Sequence, residues 1–165
     1  MSPGRFLRHL FSTRWATRRR FTPQVLGEIE SAIREVESQH GGEIRFAVET
    51  SLDLAELVRD VGPRHRAMEV FGHLGVWDTA ANNGVLIYLL LADRVVEIVA
   101  DRGIAARVAQ SEWDGICQEM QRYFGEKRFG EGSVAGIRSV GRLLGRHFPG
   151  RSKGTDELPN QPVLL

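Results

Sequence analysis

The sequence predicts an α/β fold: a three-layer α/β/α sandwich around a small mixed sheet that contains an antiparallel hairpin. Three observations carry it. Residues 84–92 are a nearly unbroken apolar run, the mark of a central strand covered on both faces. Asp93-Arg94 follows, and a second apolar strand at 95–100 returns, so the two strands pair as a hairpin. Segments of helical periodicity lie on both sides of this hairpin in the chain and supply helices for both faces of a sheet.

The elements follow in order. Residues 1–20 form a basic arm, with Arg5, Arg8, Arg14, Arg18, Arg19 and Arg20 and no acid. Phe6, Leu7, Leu10, Phe11 and Trp15 recur there at spacings of three and four, which fits an amphipathic helix. Thr22-Pro23 starts a helix whose inner face is Val25, Ile29, Ala32, Ile33 and Val36, and Gly41-Gly42 ends it. Residues 43–50 alternate as a half-buried strand. A short helical turn at 52–61 and a helix from Pro63 to about Leu74 follow. A short helical piece comes after the hairpin, at 103–109. Ser111 and Asp114 have the spacing of a helix-capping signal, and Trp113, Ile116, Cys117, Met120 and Phe124 make that helix's inner stripe. The last helix runs from about Gly130 to His147. Residues 150–165, polar and rich in Gly and Pro, read as a flexible tail. The domain proper is therefore 21–149. The strand at 43–50 reaches the hairpin through a helical crossover and is expected to lie parallel to one member. Residues near 58–61 are a candidate fourth edge strand.

Charge and composition narrow the function. The 165 residues carry 22 basic and 21 acidic side chains, but without the arm the balance is 16 to 21. A mildly acidic body argues against nucleic acid as a partner, because phosphate contacts need Lys and Arg. The basic amphipathic arm points instead to an anionic membrane surface or a membrane protein. Packing of the same stripe against the domain is the structural alternative. No run approaches the roughly 18 apolar residues of a membrane span, and no secretory signal is evident. The reading is a cytoplasmic, bacterial-type protein, peripheral on the membrane. Cys117 is the single cysteine and excludes an intrachain disulfide.

Familiar catalytic signatures are absent: no Walker loop, nucleophile elbow, paired-His helix or Cys-x-x-Cys. Gly130, Gly132 and Gly136 imitate a dinucleotide fingerprint with the third glycine one place late, and read as close helix packing. The five histidines show no ligand spacing. The hairpin, however, returns Asp101 towards Asn82-Asn83-Gly84 at the other end of its first strand. Asp78, Asn82, Asn83 and Asp101 are therefore candidate oxygen ligands for Ca2+ or another divalent cation, which takes about six to eight oxygens. The alternative is that Asp78 caps the loop and the asparagines accept positive φ before Gly84. Arg94 and Arg102 are candidate phosphate contacts.

The motifs Asn83-Gly84-Val85-Leu86-Ile87, Asp93-Arg94-x-x-Glu97-Ile98, Phe71-x-x-Leu74-x-Val76, Gly42-Glu43-Ile44 and Phe129-x-x-Gly132 resemble the TPM domain, also called the TPM phosphatase domain. That family includes thylakoid-lumen phosphatase-like proteins, photosystem II repair factors and many bacterial membrane-associated proteins. The resemblance covers about residues 21–149 and implies an α/β/α sandwich, calcium binding and weak acid-phosphatase activity. Two departures stand out. Asn83 replaces a frequent Asp, and Ala105 stands where the family often has Glu. The expected function is a binding or accessory module at a membrane surface or on membrane-protein complexes. The alternative is a weak cation-dependent acid phosphatase.

Overall fold

The computed structural model describes residues 3–150 and 156–165. A four-stranded sheet of order β3-β2-β1-β4 forms the middle layer. Its strands are β1 (Glu43–Glu49), β2 (Gly84–Leu90), β3 (Val95–Ala100) and β4 (Val163–Leu164). β1 runs parallel to β2, and β2 pairs antiparallel with β3 in the register Val85 to Ala100 and Leu90 to Val95. The crossover expectation and the hairpin both hold.

Strand periodicity decides which side chain goes to which layer. Val85, Ile87 and Leu89 of β2 point into one apolar core, together with Ile44, Phe46 and Val48 of β1. That core is closed by α3 (Pro23–Glu37), α7 (Gln110–Gly125) and α8 (Phe129–His147). Leu86, Tyr88 and Leu90 point into a second core, covered by α4 (Leu54–Val58) and α5 (Pro63–His73). The two cores are the reason the strand at 84–90 carries no charged residue.

The two long helices that follow the hairpin, α7 and α8, pack closely. A Cβ added at Gly136 would lie 2.2 Å from the Met120 sulfur, and one at Gly132 would lie 2.6 Å from Tyr123 Cβ. Two of the three glycines that imitate a dinucleotide fingerprint, Gly132 and Gly136, therefore serve helix-to-helix contact between α7 and α8, and Gly130 faces Val25 and Glu28 of α3.

Four expectations need correction. Residues 156–165 are not a flexible tail: Leu158 is buried in the second core, and Val163 and Leu164 add β4 to the free edge of β1 in parallel. Arg45 donates to the Pro159 and Gln161 carbonyls, and the Leu158 N–H donates to Glu43. The fourth strand is therefore here and not near 58–61. The arm is two helices, α1 (Pro3–Phe11) and α2 (Arg14–Arg20), broken where Thr13 caps the second through the Ala16 N–H. Ser111 caps nothing, since α7 begins at Gln110 after Ala109. Trp113 of the inner stripe is buried as expected.

Candidate functional site

Two regions at opposite ends of the β2–β3 hairpin carry the candidate residues. At the start of β2, the chain turns on Asn82, whose φ of 50° is the left-handed conformation that Asn tolerates. The Thr79 hydroxyl accepts from the Asn83 N–H at 3.1 Å and shapes the same turn. Gly84 is required by contact: a Cβ there would lie 2.0 Å from the Val76 carbonyl oxygen.

The hairpin does return Asp101 to this place. Its N–H donates to the Gly84 carbonyl at 2.9 Å, and the Gly103 N–H donates to the Asn82 carbonyl at 2.8 Å. Asp101 is buried and caps α6 (Arg102–Ala105), with Oδ1 accepting from the Arg102 N–H. Asn83 is buried too, and its Nδ2 donates to the Gly41 carbonyl at 2.7 Å. Asp101 Oδ2 and Asn83 Oδ1 are left buried without a hydrogen-bond partner. Asp78 does not join them: it is exposed, and its side chain makes no hydrogen bond or ion pair among the described residues. No group of three or more His, Cys, Asp or Glu that could hold a metal ion occurs among the described residues.

Sequence reasoning missed Glu157, whose carboxylate accepts from the Ala80 N–H in this loop at 2.8 Å. Asp156-Glu157 was a visible acidic pair, but the segment's polar composition concealed its docking. The same segment leans on two buried acids of the sheet end. Burial pushes Glu37 up to about 8, with help from nearby Glu43 and Asp156. Burial also raises Glu43 above its ordinary value.

At the other end, Asp93 is neither a solvated turn residue nor a phosphate partner. Its side chain is 6% exposed and receives the arm. Arg5 donates Nη2 to Asp93 Oδ2 at 2.9 Å and to the Val61 carbonyl at 2.7 Å. Arg8 Nη2 lies 3.7 Å from Asp93 Oδ1, and His9 Nε2 lies 3.0 Å from it. His9 Nδ1 accepts from the Leu52 N–H, which places the ring proton on Nε2, facing Asp93. Burial alone would raise Asp93, but Arg5 and His9 outweigh it and hold the carboxyl below its ordinary value.

The arm thus docks by its polar face. Phe6 turns inward against the second core, so it leaves the set of surface candidates. Leu7, Leu10, Phe11 and Trp15 stay 50%, 56%, 75% and 66% exposed. Arg94 and Arg102 sit at opposite ends of the hairpin and cannot act on one phosphate. Other reactive groups are closed off. Burial, then Glu97 and Asp114, push the Cys117 thiol up to about 12. Arg66 forks onto Glu49, which also takes the Tyr88 hydroxyl.

A helix-covered mixed sheet with a glycine-fitted loop cluster at one end and a docked helical arm at the other defines a small α/β/α sandwich domain with its candidate residues on loops. The chain belongs to the TPM domain family, whose pattern matches residues 18–143. It is similar to the BA42 protein of the psychrophilic bacterium Bizionia argentinensis, at 33% identity and a TM-score of 0.74, over 87% of this chain and 94% of that one. The fold is shared with the N-terminal domain of a P. gingivalis protein (19% identity, TM-score 0.57, 74% and 76% of the two chains). It is shared as well with the N-terminal domain of cg2496 from Corynebacterium glutamicum (16%, 0.55, 81% and 77%). No curated protein matches the chain. Among the described residues no helix is long and apolar enough to cross a membrane.

Proposed function

We propose that this TPM domain is a binding or accessory module that works at an anionic membrane surface, with the N-terminal helices as its contact. One observation carries the reading: the domain holds α1 and α2 by their polar face and leaves Leu7, Leu10, Phe11 and Trp15 in solvent, with Arg14, Arg18, Arg19 and Arg20 exposed nearby. Burying one such apolar side chain is worth about 1.5–3 kcal/mol. A basic residue near an anionic leaflet adds about 1 kcal/mol. A lipid surface supplies both terms together, whereas water supplies neither.

The full chain is expected to sediment with phosphatidylglycerol vesicles and much less with phosphatidylcholine vesicles. Leu7→Ser/Leu10→Ser/Trp15→Ser should lose that binding with an unchanged melting temperature, since the three positions face solvent. Equal binding by the variant overturns the reading. So does a wild-type chain that ignores vesicles and self-associates through the same residues.

Calcium binding is a second reading, favoured by the unpartnered buried oxygens of Asn83 and Asp101. Both are hard oxygen donors of the kind Ca2+ takes. Asn82 and backbone carbonyls of the same turn would join them, while Asp78 would have to swing in from the surface. Bound calcium would cross-link the β2 entry to the start of α6. Millimolar calcium is expected to raise the melting temperature by mass action, and Asp101→Asn to abolish the rise. An unmoved wild-type melting curve removes this reading and leaves the first intact. Neither reading requires hydrolysis, and phosphatase activity gains no support from two arginines set so far apart.

A further inference from the structure

A cleft of about 980 Å³ opens between the arm and the domain, near Arg94. One wall is the end of α1 and of α2, with Arg8, Phe11, Arg19 and Arg20. The other walls are the 91–95 turn and the junction of α7 with α8. Six cations line it (Arg8, Arg19, Arg20, Arg94, Lys127 and Arg128) against two acids, Glu28 and Glu131. The body behind this cleft is net acidic, so the local excess of positive charge is a property of the cleft and not of the whole surface.

The cations are not equally engaged. Arg128 is tied to Glu131 at 2.6 Å and to Glu126 at 3.0 Å, and Arg8 leans on Asp93. Arg20 lies over the Phe129 ring and Arg19 over Trp15. The side chains of Arg94 and Lys127 make no hydrogen bond or ion pair among the described residues. Both are exposed and hold left-handed backbone, at φ of 58° and 62°. Long cationic side chains are uncommon at such positions, where Gly or Asn fits with less strain. Between the charges lie Phe11, Val25, Leu91, Phe124 and Phe129, which give the cleft an apolar lining as well.

We propose that this cleft takes the phosphate headgroup and the first carbons of the acyl chains of one anionic phospholipid, with Arg94 and Lys127 on the phosphate. Guanidinium and ammonium donors match phosphate oxygens, and the apolar wall matches the chain that follows them. A nucleic acid would need an extended basic track, which the acidic body lacks. Phe11 both lines the cleft and projects with the exposed arm residues, so an arm lying on a leaflet brings the cleft mouth to headgroup depth. The inference rests on the membrane-surface reading but is tested separately from it.

The test uses dihexanoyl phosphatidic acid, kept monomeric, titrated into the full chain by calorimetry and amide NMR. Dihexanoyl phosphatidylcholine and inorganic phosphate are the comparisons. Saturable phosphatidate binding is expected, with shifts at Arg94, Lys127 and Phe129, and each comparison should bind at least tenfold more weakly. Arg94→Asn/Lys127→Asn keeps residues that accept positive φ and should weaken binding by roughly 30-fold, about fivefold per basic group, with an unchanged melting curve. Undiminished binding by this variant overturns the assignment, as does the absence of saturation. Inorganic phosphate binding as tightly as phosphatidate overturns the lipid assignment in favour of a plain phosphate site. Leu7→Ser/Leu10→Ser/Trp15→Ser should keep short-chain binding, since none of the three lines the cleft. Vesicle binding without short-chain binding therefore removes the cleft alone, and the converse removes the arm reading alone.

Discussion

Asp93→Ala is expected to release the N-terminal helices while the sheet stays folded. The carboxylate is the one anion on which Arg5, Arg8 and His9 converge, and it comes from a turn 88 positions away from Arg5. Removing it takes from Arg5, whose side chain is only 14% exposed, its buried carboxylate partner, while the contacts to the exposed Asp60 and the Val61 carbonyl remain. Breaking a buried pair costs about 3–5 kcal/mol, but Arg8 is half exposed and a released arm regains water. The expected loss of docking is therefore about 2–3 kcal/mol. Trypsin should then cut rapidly at Arg14 and Arg18–Arg20, and amide exchange in α1 and α2 should rise, with exchange in β1 and β2 unchanged. An arm as protected in the variant as in the parent would show that Phe6 and the Thr17–Thr50 hydroxyl contact suffice to hold it. Acid should imitate the substitution. Asp93 is held below its ordinary value of 3.8, so docking is intact above that pH and is lost as pH falls through the lowered value.

Glu37→Gln should remove most of the alkaline sensitivity of the fold. Glu37 ends α3, and its Oε1 accepts the Ile44 N–H at 2.7 Å while Oε2 is buried without a partner. Burial raises it from 4.5 to about 8, so between these values the folded chain holds a proton that the unfolded chain has lost. That proton stabilises the native state fully below about 4.5, and the contribution disappears as pH rises through about 8. Glu43, raised in the same direction, adds to the trend. His40 is lowered by burial and costs stability only when pH falls below its ordinary 6.5. The interval from pH 6.5 to 9 therefore isolates the acids. Each tenfold change in proton affinity is worth about 1.4 kcal/mol, so the effect is of order a few kcal/mol. For a chain of this size that is a fall of about 5–10 °C in melting temperature. The glutamine variant keeps the acceptor for Ile44 and should lose most of the pH dependence there, with Glu43 carrying the remainder. A wild-type curve that stays flat from pH 6.5 to 9 would show that Glu37 titrates normally.

What the chain reveals in advance depends on how local the cause is. The hairpin is legible because residues 84–90 lack charged side chains and Asp93-Arg94 breaks the run. From that single reversal the meeting of Asp101 with Asn82 and Gly84 follows. Asp78 escapes the inference, because hairpin pairing says nothing about a loop residue six positions before β2. The arm's apolar stripe is equally readable, but not its outward direction, which Asp93 imposes from far along the chain. The docking of residues 156–165 is not legible because a two-residue strand has no periodicity, and their order comes from Leu158, Arg45 and Glu43 acting together.

β4 has a consequence for how the chain is made. Residues 156–165 are synthesised after every element they lie against, so the flank of β1 has no neighbour while the rest of the domain gathers. During that interval its peptide groups are open to any extended segment in the cell. Late arrival of Val163 and Leu164 closes the seam, and an emerging chain spends its most association-prone moments just before that step.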